Sequence, residues 1–371
     1  MKALVALDYE PSERLLRAIE RCESRGEAFA VLDRRVSPTR RQRELEWLGA
    51  THLESDGERQ VLTAGREVED DVALVMLTSG SSGTPKAVEH TWEGLRASAH
   101  LTTSRLATST TPVWYATLPP NHIGGLAVLL RHLLAGSGVL FGPPEEIPIA
   151  PSRGATHVAV VRAHLRRFDL SPYDVVLLGG ARPPGDLAPN VITTWGMTET
   201  GSGVVYDRRP LEEVELLVVR DELCVRSPTL ARGYRHAPLP TYRDEEGRSW
   251  FRTGDGATIE NGELHVLGRL DYVINTGGEK VWPEALESLL SSLEGVQDCA
   301  VVGVTDPEWG ERVEALVVSP HSLDDKIRAR AEEFLGPWAK PKRVTYVEAI
   351  PRTANGKVDR AAAERLVARL A

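Results

Sequence analysis

Strands and helices alternating along the chain predict an α/β protein, with a large layered N-terminal α/β domain and a small, mobile C-terminal α+β domain. Three observations carry the prediction. Short apolar runs of the buried-strand kind recur between helix-like stretches through most of the chain. The pattern changes near Gly268 to Asp271, just after the turn signal Asn261-Gly262, which divides the chain into residues 1–270 and 271–371. The length of 371 residues is enough for two cores.

Within the larger part, Val72 to Leu77 reads as a buried strand, and the Ser, Thr, Gly and Pro residues from Thr78 to Pro85 read as a loop. Thr91 can cap a helix running to about Arg105. Val158 to Val161 and Val175 to Leu178 are further buried strands, the second followed at once by Gly179-Gly180. Val214 to Val219 and Leu223 to Val225 form a hairpin around Arg220-Asp221. In the smaller part, Pro283 suits the first turn of a helix whose Leu286, Leu289, Leu290 and Leu293 share one face. Ala300 to Val304, Ala315 to Val318 and Val344 to Val347 are β-like. Ser322 can cap a helix that Pro337 stops, and Arg360 to Leu370 is a last helix.

Composition narrows the function. Charged residues make up 26% and the formal net charge is -9, so no general basic face for nucleic acid is expected. The three cysteines, Cys22, Cys224 and Cys299, have neither metal-ligand nor redox spacing, which fits a reducing cytoplasm. The N-terminal apolar run is too short for a signal peptide, and no stretch approaches the roughly 18 apolar residues of a membrane span.

The strongest local signal is Thr78-Ser79-Gly80-Ser81-Ser82-Gly83-Thr84-Pro85-Lys86. Small residues let backbone N–H groups and hydroxyls approach a phosphate closely, and Lys86 adds a positive charge. It is not a Walker A loop, because Pro85 stands where glycine is required and Ala87 replaces the magnesium-binding hydroxyl. Further along come Thr193-Thr-Trp-Gly-Met-Thr-Glu-Thr200, Phe251-Arg-Thr-Gly-Asp255, Gly268-Arg-Leu-Asp271 with Gly277-Gly278, and Pro351-Arg-Thr-Ala-Asn-Gly-Lys357. Taken singly, each has a plainer reading as a turn, linker or solvated surface loop.

Together and in this order, they resemble the motifs of adenylate-forming enzymes: acyl-CoA synthetases, luciferases and peptide-synthetase adenylation domains. The resemblance runs from about residue 72 to 360. It implies that family's two-domain fold, with ATP, Mg²⁺ and coenzyme A as cofactor and co-substrates and a small-molecule carboxylic acid as substrate. By resemblance, the loop from Thr78 to Lys86 holds phosphates. Gly179, Gly180 and Ala181 lie against the adenine, and Trp195 stacks on its other side. Gly196, Met197 and Thr198 complete the nucleotide motif, Thr198 touching the α-phosphate and Glu199 holding Mg²⁺. Asp255 takes both ribose hydroxyls, and Arg269 contacts the nucleotide. Asp271 is the hinge, and Gly277-Gly278 line the tunnel for the pantetheine arm. Lys357 bridges the acid's carboxylate and the α-phosphate. No enzyme nucleophile is needed, because the substrate carboxylate itself attacks the α-phosphate.

Within the family, the short front and the stretch Thr156 to Arg167 followed by Leu177 to Ala181 look like the o-succinylbenzoate–CoA ligases of menaquinone synthesis in high-GC bacteria. The chain departs from that pattern at Arg162-Ala163, where branch members have Pro-Thr, and at Asn121, where an aromatic is usual. Asp221 and Gly256 also depart, standing where relatives have a glycine and an apolar residue. A second carboxylate on the acid would suit an arginine fork, for which Arg162 and Arg182 are candidates. His122 matches a position bordering the acyl site. Competing readings are another aryl- or acyl-CoA ligase, an adenylation enzyme loading a carrier protein, and a nucleotide-binding pseudoenzyme. The pseudoenzyme reading predicts loss of the chemical residues, yet Lys86, Glu199, Asp255 and Lys357 are all present. Whether the enzyme is a homodimer stays open at this level.

Overall fold

The computed structural model describes residues 1–78, 85–108, 111–180, 183, 185–353 and 356–370. The chain divides into two compact units. The first is Met1–Leu217 with Cys224–Arg252, and the second is Val218–Leu223 with Thr253–Ala371.

The first unit holds two seven-stranded sheets. In one, the parallel strands Leu4–Leu7 and Ala28–Val31 are buried on both faces, which is why they are continuous apolar runs. Ala28–Val31 runs parallel to Val72–Thr78, which pairs antiparallel with Lys86–Thr91. The front of the chain, whose role the sequence left open, therefore completes this sheet. It adds Leu4–Leu7, Ala28–Val31, His52–Ser55 and Glu58–Val61 beyond Val72–Thr78, with helices Glu13–Ser24 and Pro38–Leu48 between them.

The second sheet has a parallel core in the order Gly138–Phe141, Val113–Ala116, His157–Val160, Val175–Leu178 and Val191–Met197. The helices Trp92–Arg105 and Ile123–Ala135 pack on each other and on Ser202–Tyr206, which pairs antiparallel with Val191–Met197. The first begins as its sequence predicts, with the Thr91 hydroxyl accepting from Gly94 N at 3.1 Å.

In the second unit, Asp298–Asp306 and Gly310–Val318 form a long antiparallel hairpin, and Arg343–Tyr346 lies parallel to the latter. Helices Pro283–Leu290 and Asp324–Leu335 bury Leu286, Leu290, Ile327 and Ala331 with Val301, Ala315 and Val317. Helix Arg360–Leu370 buries Ala363 and Val367 with Ala300, Val302 and Leu316. Such alternation along each strand is what a sheet covered on both faces requires. Ser322 does not cap its helix. Leu323 is the N-cap residue, and the Ser322 hydroxyl instead meets the Asp324 carboxylate at 3.1 Å, which also accepts from the Tyr346 hydroxyl at 2.8 Å. Among the described residues no helix is long and apolar enough to cross a membrane.

Candidate active site

The parallel core of the second sheet decides where chemistry can sit, since parallel strands present their carboxyl ends at one edge and ligands bind outside that edge. There Val113–Ala116 leads to His122, His157–Val160 to Arg162, Val175–Leu178 to Gly179-Gly180, and Val191–Met197 to Thr198 and Glu199. Residues drawn from four separate stretches of the chain thus share one end of one sheet. His122 is the N-cap residue of helix Ile123–Ala135. Its charge helps hold the Asp33 carboxyl below the usual range, after the larger effect of Arg35. Arg162 is half-buried at the start of helix Arg162–Arg167.

Glu199 is fixed from two sides. Its carbonyl accepts from Ala231 N at 2.8 Å, and its carboxylate accepts from the Tyr234 hydroxyl at 2.9 Å. The ring of the same tyrosine lies under the Lys86 ammonium, 5.3 Å from Nζ to the ring centroid. Lys86 pairs across strands with Thr78, whose hydroxyl reaches the Lys86 carbonyl at 3.4 Å, so the two ends of the phosphate-loop motif are closed on each other. Ser79, Gly80, Ser81, Ser82, Gly83 and Thr84 lie outside the described residues, as do Ala181 and Arg182. Tyr234 had no motif to announce it. Its place comes from pairing Gly233–Tyr234 with Glu89 and Val88 on the strand that begins at Lys86.

A second unannounced residue is His90, on the same strand. It is fully buried, and its ring Nε2 donates to Thr198 O at 2.8 Å. Burial pushes its pKa down to about 4 despite that bond, so the ring is neutral near pH 7 and its proton sits on Nε2. Trp195 and Gly196 flank a register shift in Val191–Met197, and Met197 N donates to the Thr200 hydroxyl at 2.9 Å. This turn carries Thr198 and Glu199.

The second unit gathers its own set. Asp255 and Arg269 face each other across paired strands, with Nη1 3.0 Å from Oδ1, and Asp255 is only 7% exposed. Arg269 also donates to Thr253 O at 2.9 Å and lies 3.6 Å from Asp271. Burial works against the Arg269 charge, but Asp255 and Asp271 outweigh it and raise its pKa. Gly277 has φ +61°, and a Cβ there would stand 2.6 Å from the Trp309 ring, so only glycine fits. Gly256 is similarly constrained, since a Cβ there would meet the Trp282 ring at 1.9 Å. Asp221 takes an ion pair from Lys280 at 2.7 Å. Asp221 and Gly256 are thus each met by a residue of the 280–282 stretch. Lys357 is exposed; its carbonyl accepts from Thr353 N at 2.8 Å, closing the loop that carries it.

Among the described residues no group of three or more His, Cys, Asp or Glu could cage a metal. Magnesium needs no such cage, since it keeps waters and takes one or two carboxylates alongside substrate phosphates. Glu199, beside the cationic Lys86, fits that donor set.

Comparison with known proteins agrees with this geometry. A family model described as AMP-binding enzyme matches residues 3–235, and one described as AMP-binding enzyme C-terminal domain matches 285–357. The "Probable 2-succinylbenzoate–CoA ligase" of Mycobacterium tuberculosis (strain ATCC 25618 / H37Rv) is 38% identical over 336 residues, covering 82% of this chain and 87% of its own. The 2-succinylbenzoate–CoA ligase of Listeria monocytogenes serotype 4b (strain F2365) is 30% identical over 345 residues, covering 84% and 73%. Among solved structures, wild-type E. coli MenE with a bound m-phenylether-linked analogue of OSB-AMS superposes with a TM-score of 0.77 at 25% identity, covering 99% of this chain and 88% of that one. The Bacillus subtilis o-succinylbenzoate CoA synthetase in complex with the acyl-adenylate intermediate OSB-AMP shares the fold, with a TM-score of 0.81 at 24% identity and coverage of 98% and 88%. Matched by the family model over more than half its length and by these relatives over most of it, the chain belongs to the AMP-binding, adenylate-forming enzyme family.

Proposed function

We propose that the chain is an ATP-dependent acid–CoA ligase, joining o-succinylbenzoate to AMP and then passing the acyl group to coenzyme A, a step of menaquinone synthesis. The observation that carries the chemistry is the convergence of Lys86 and Glu199 on Tyr234 beside the carboxyl ends of the parallel strands. The names of the relatives that cover most of the chain support the choice of acid.

In this reading the acid's carboxylate attacks the α-phosphate and pyrophosphate leaves. Lys86 and the loop from Thr78 to Thr84 hold the departing phosphates, and Thr198 steadies the α-phosphate. Bound Mg²⁺ supplies charge neutralisation of the phosphate oxygens, and Glu199 is the carboxylate that holds it. Trp195 and Gly179 to Ala181 enclose the adenine, while Gly196 and Met197 shape the turn. Asp255 takes the ribose hydroxyls and Arg269 orients Asp255. Lys357 stabilises the charge building at the α-phosphate. Residues 271–371 then rotate about Asp271 so that Gly277-Gly278 admit the thiol arm of CoA, which attacks the acyl carbonyl and releases AMP. His122 borders the acyl pocket, and Arg162 or Arg182 pairs with the second carboxylate. The three cysteines are free and buried, which suits a reducing cytoplasm, where ATP and CoA are at hand.

The test is thioester formation from o-succinylbenzoate, ATP, Mg²⁺ and CoA, preceded by pyrophosphate exchange with a panel of acids. Turnover of o-succinylbenzoate above other aryl acids is expected. Exchange with a different acid and none with o-succinylbenzoate would remove the substrate and keep the reaction class.

A further inference from the structure

Tyr234 touches two charged groups of the nucleotide site, Glu199 and Lys86, and belongs to none of the motifs that announced it. Its hydroxyl donates to the Glu199 carboxylate at 2.9 Å, and its ring face lies 5.3 Å from the Lys86 ammonium. A phenol ring offers its negative face to a cation and its O–H to an anion, so one side chain can steady opposite charges at two separate points.

The platform beneath it is rigid. Tyr234 pairs with Val88, and Gly233 with Glu89, on the strand that starts at Lys86. The main chain of 231–235 is tied at three further points: Ala231 N to Glu199 O, Arg232 N to Glu89 O, and Arg235 N to Ala87 O, all at 2.8 Å. The Arg235 guanidinium, 2% exposed, pairs with buried Glu89 at 3.3 Å and donates to Gly49 O at 3.3 Å. A ring mounted on such a base holds its two partners in fixed directions rather than following them.

We propose that Tyr234 is a positioning residue for the magnesium–triphosphate: its hydroxyl orients the Glu199 carboxylate toward the metal, and its ring holds Lys86 over the phosphates. The inference rests on the nucleotide-site reading given above. It assigns separate jobs to the two parts of the side chain. With one carboxylate oxygen held by the phenol, the other is presented to the cation without first having to be ordered. Lys86, on a flexible four-carbon stem, is likewise held by the ring at a fixed place.

Two substitutions separate the jobs. Tyr234→Phe keeps the ring and loses the hydroxyl, whereas Tyr234→Leu loses both. ATP binding is measured by calorimetry on the full chain with and without Mg²⁺, and pyrophosphate exchange is titrated with Mg²⁺. Tyr234→Phe is expected to bind ATP like the parent protein without Mg²⁺. It loses about tenfold of the Mg²⁺-linked gain in affinity, as for one hydrogen bond to a charged group, and needs correspondingly more Mg²⁺ for half-maximal exchange. Tyr234→Leu is expected to weaken Mg²⁺-free ATP binding as well. Equal Mg²⁺ linkage in Tyr234→Phe and parent overturns the role of the hydroxyl. Equal Mg²⁺-free binding in Tyr234→Leu and Tyr234→Phe overturns that of the ring. Unchanged thermal unfolding of both variants shows that the fold is kept. If the parent protein itself binds no ATP, it is the nucleotide-site reading that fails.

Discussion

The His90 ring donates to the Thr198 carbonyl at 2.8 Å, so a neutral, fully buried imidazole supports the turn that carries Glu199. This sets a pH dependence. The folded-state pKa, about 4, lies below the ordinary 6.5, so the stabilisation is complete above pH 6.5 and is lost as pH falls toward 4. The shift corresponds to roughly 3 kcal/mol over that window. His90→Gln keeps an N–H donor and does not titrate. Urea unfolding at pH 7 and pH 4.5 is expected to show a smaller acid loss in the variant, and equal losses would count against the buried neutral ring.

Lys357→Ala is expected to lower the adenylation half-reaction about 10²- to 10³-fold, the effect of removing one preorganised charge from a transition state. Thioester formation from supplied acyl-adenylate should change little. Rapid-quench measurement of each half-reaction checks this, and equal losses in both would contradict a role confined to the first.

Arg360 is 7% exposed, pairs with Glu287 and with Glu284 at 3.4 Å, and donates to Val301 O at 2.7 Å. Arg360→Met leaves Glu287 buried and unpaired, at a cost of about 3–5 kcal/mol. Burial already raises the Glu287 pKa against the opposing pull of Arg360. Without the arginine it rises further, so the stability lost at neutral pH should partly return as the pH is lowered and Glu287 takes up a proton. Denaturant titrations at neutral and at lower pH measure this, and a pH-independent loss would point to packing alone.

Gly256→Ala is expected to cost about 1–3 kcal/mol, because its Cβ would overlap the Trp282 ring. In a Trp282→Ala background the same change should cost close to nothing. A double-mutant cycle by thermal unfolding gives the coupling, and additive effects would rule out the contact as the reason for glycine.

Much of this molecule could be read locally. Thr91, Pro283 and the leucines Leu286, Leu289 and Leu290 specify helices by residue type and period, although the second helix ends at Leu290, short of Leu293, and Asn261-Gly262 turns a hairpin with both residues at positive φ. Glu199 and Lys86 could be found because they sit inside short motifs. Tyr234 and His90 could not. Each acts through a partner distant in sequence, and the pairing that brings Gly233–Tyr234 to the Lys86 strand leaves no periodic trace. The front of the chain was obscure for a related reason. Its strands are four residues each, too short for periodicity, and are defined by the sheet they join. Ser322 shows the converse, a favourable capping residue displaced by one position where the Tyr346 hydroxyl engages Asp324.

The seating of Trp282 on Gly256 also limits how either position can change. An indole cannot settle on that strand while position 256 carries a side chain, so the two positions can change only together. Placing an apolar residue at 256 first demands a smaller partner at 282. An apolar residue introduced at 256 alone should therefore fail where the same change made with a small residue at 282 succeeds.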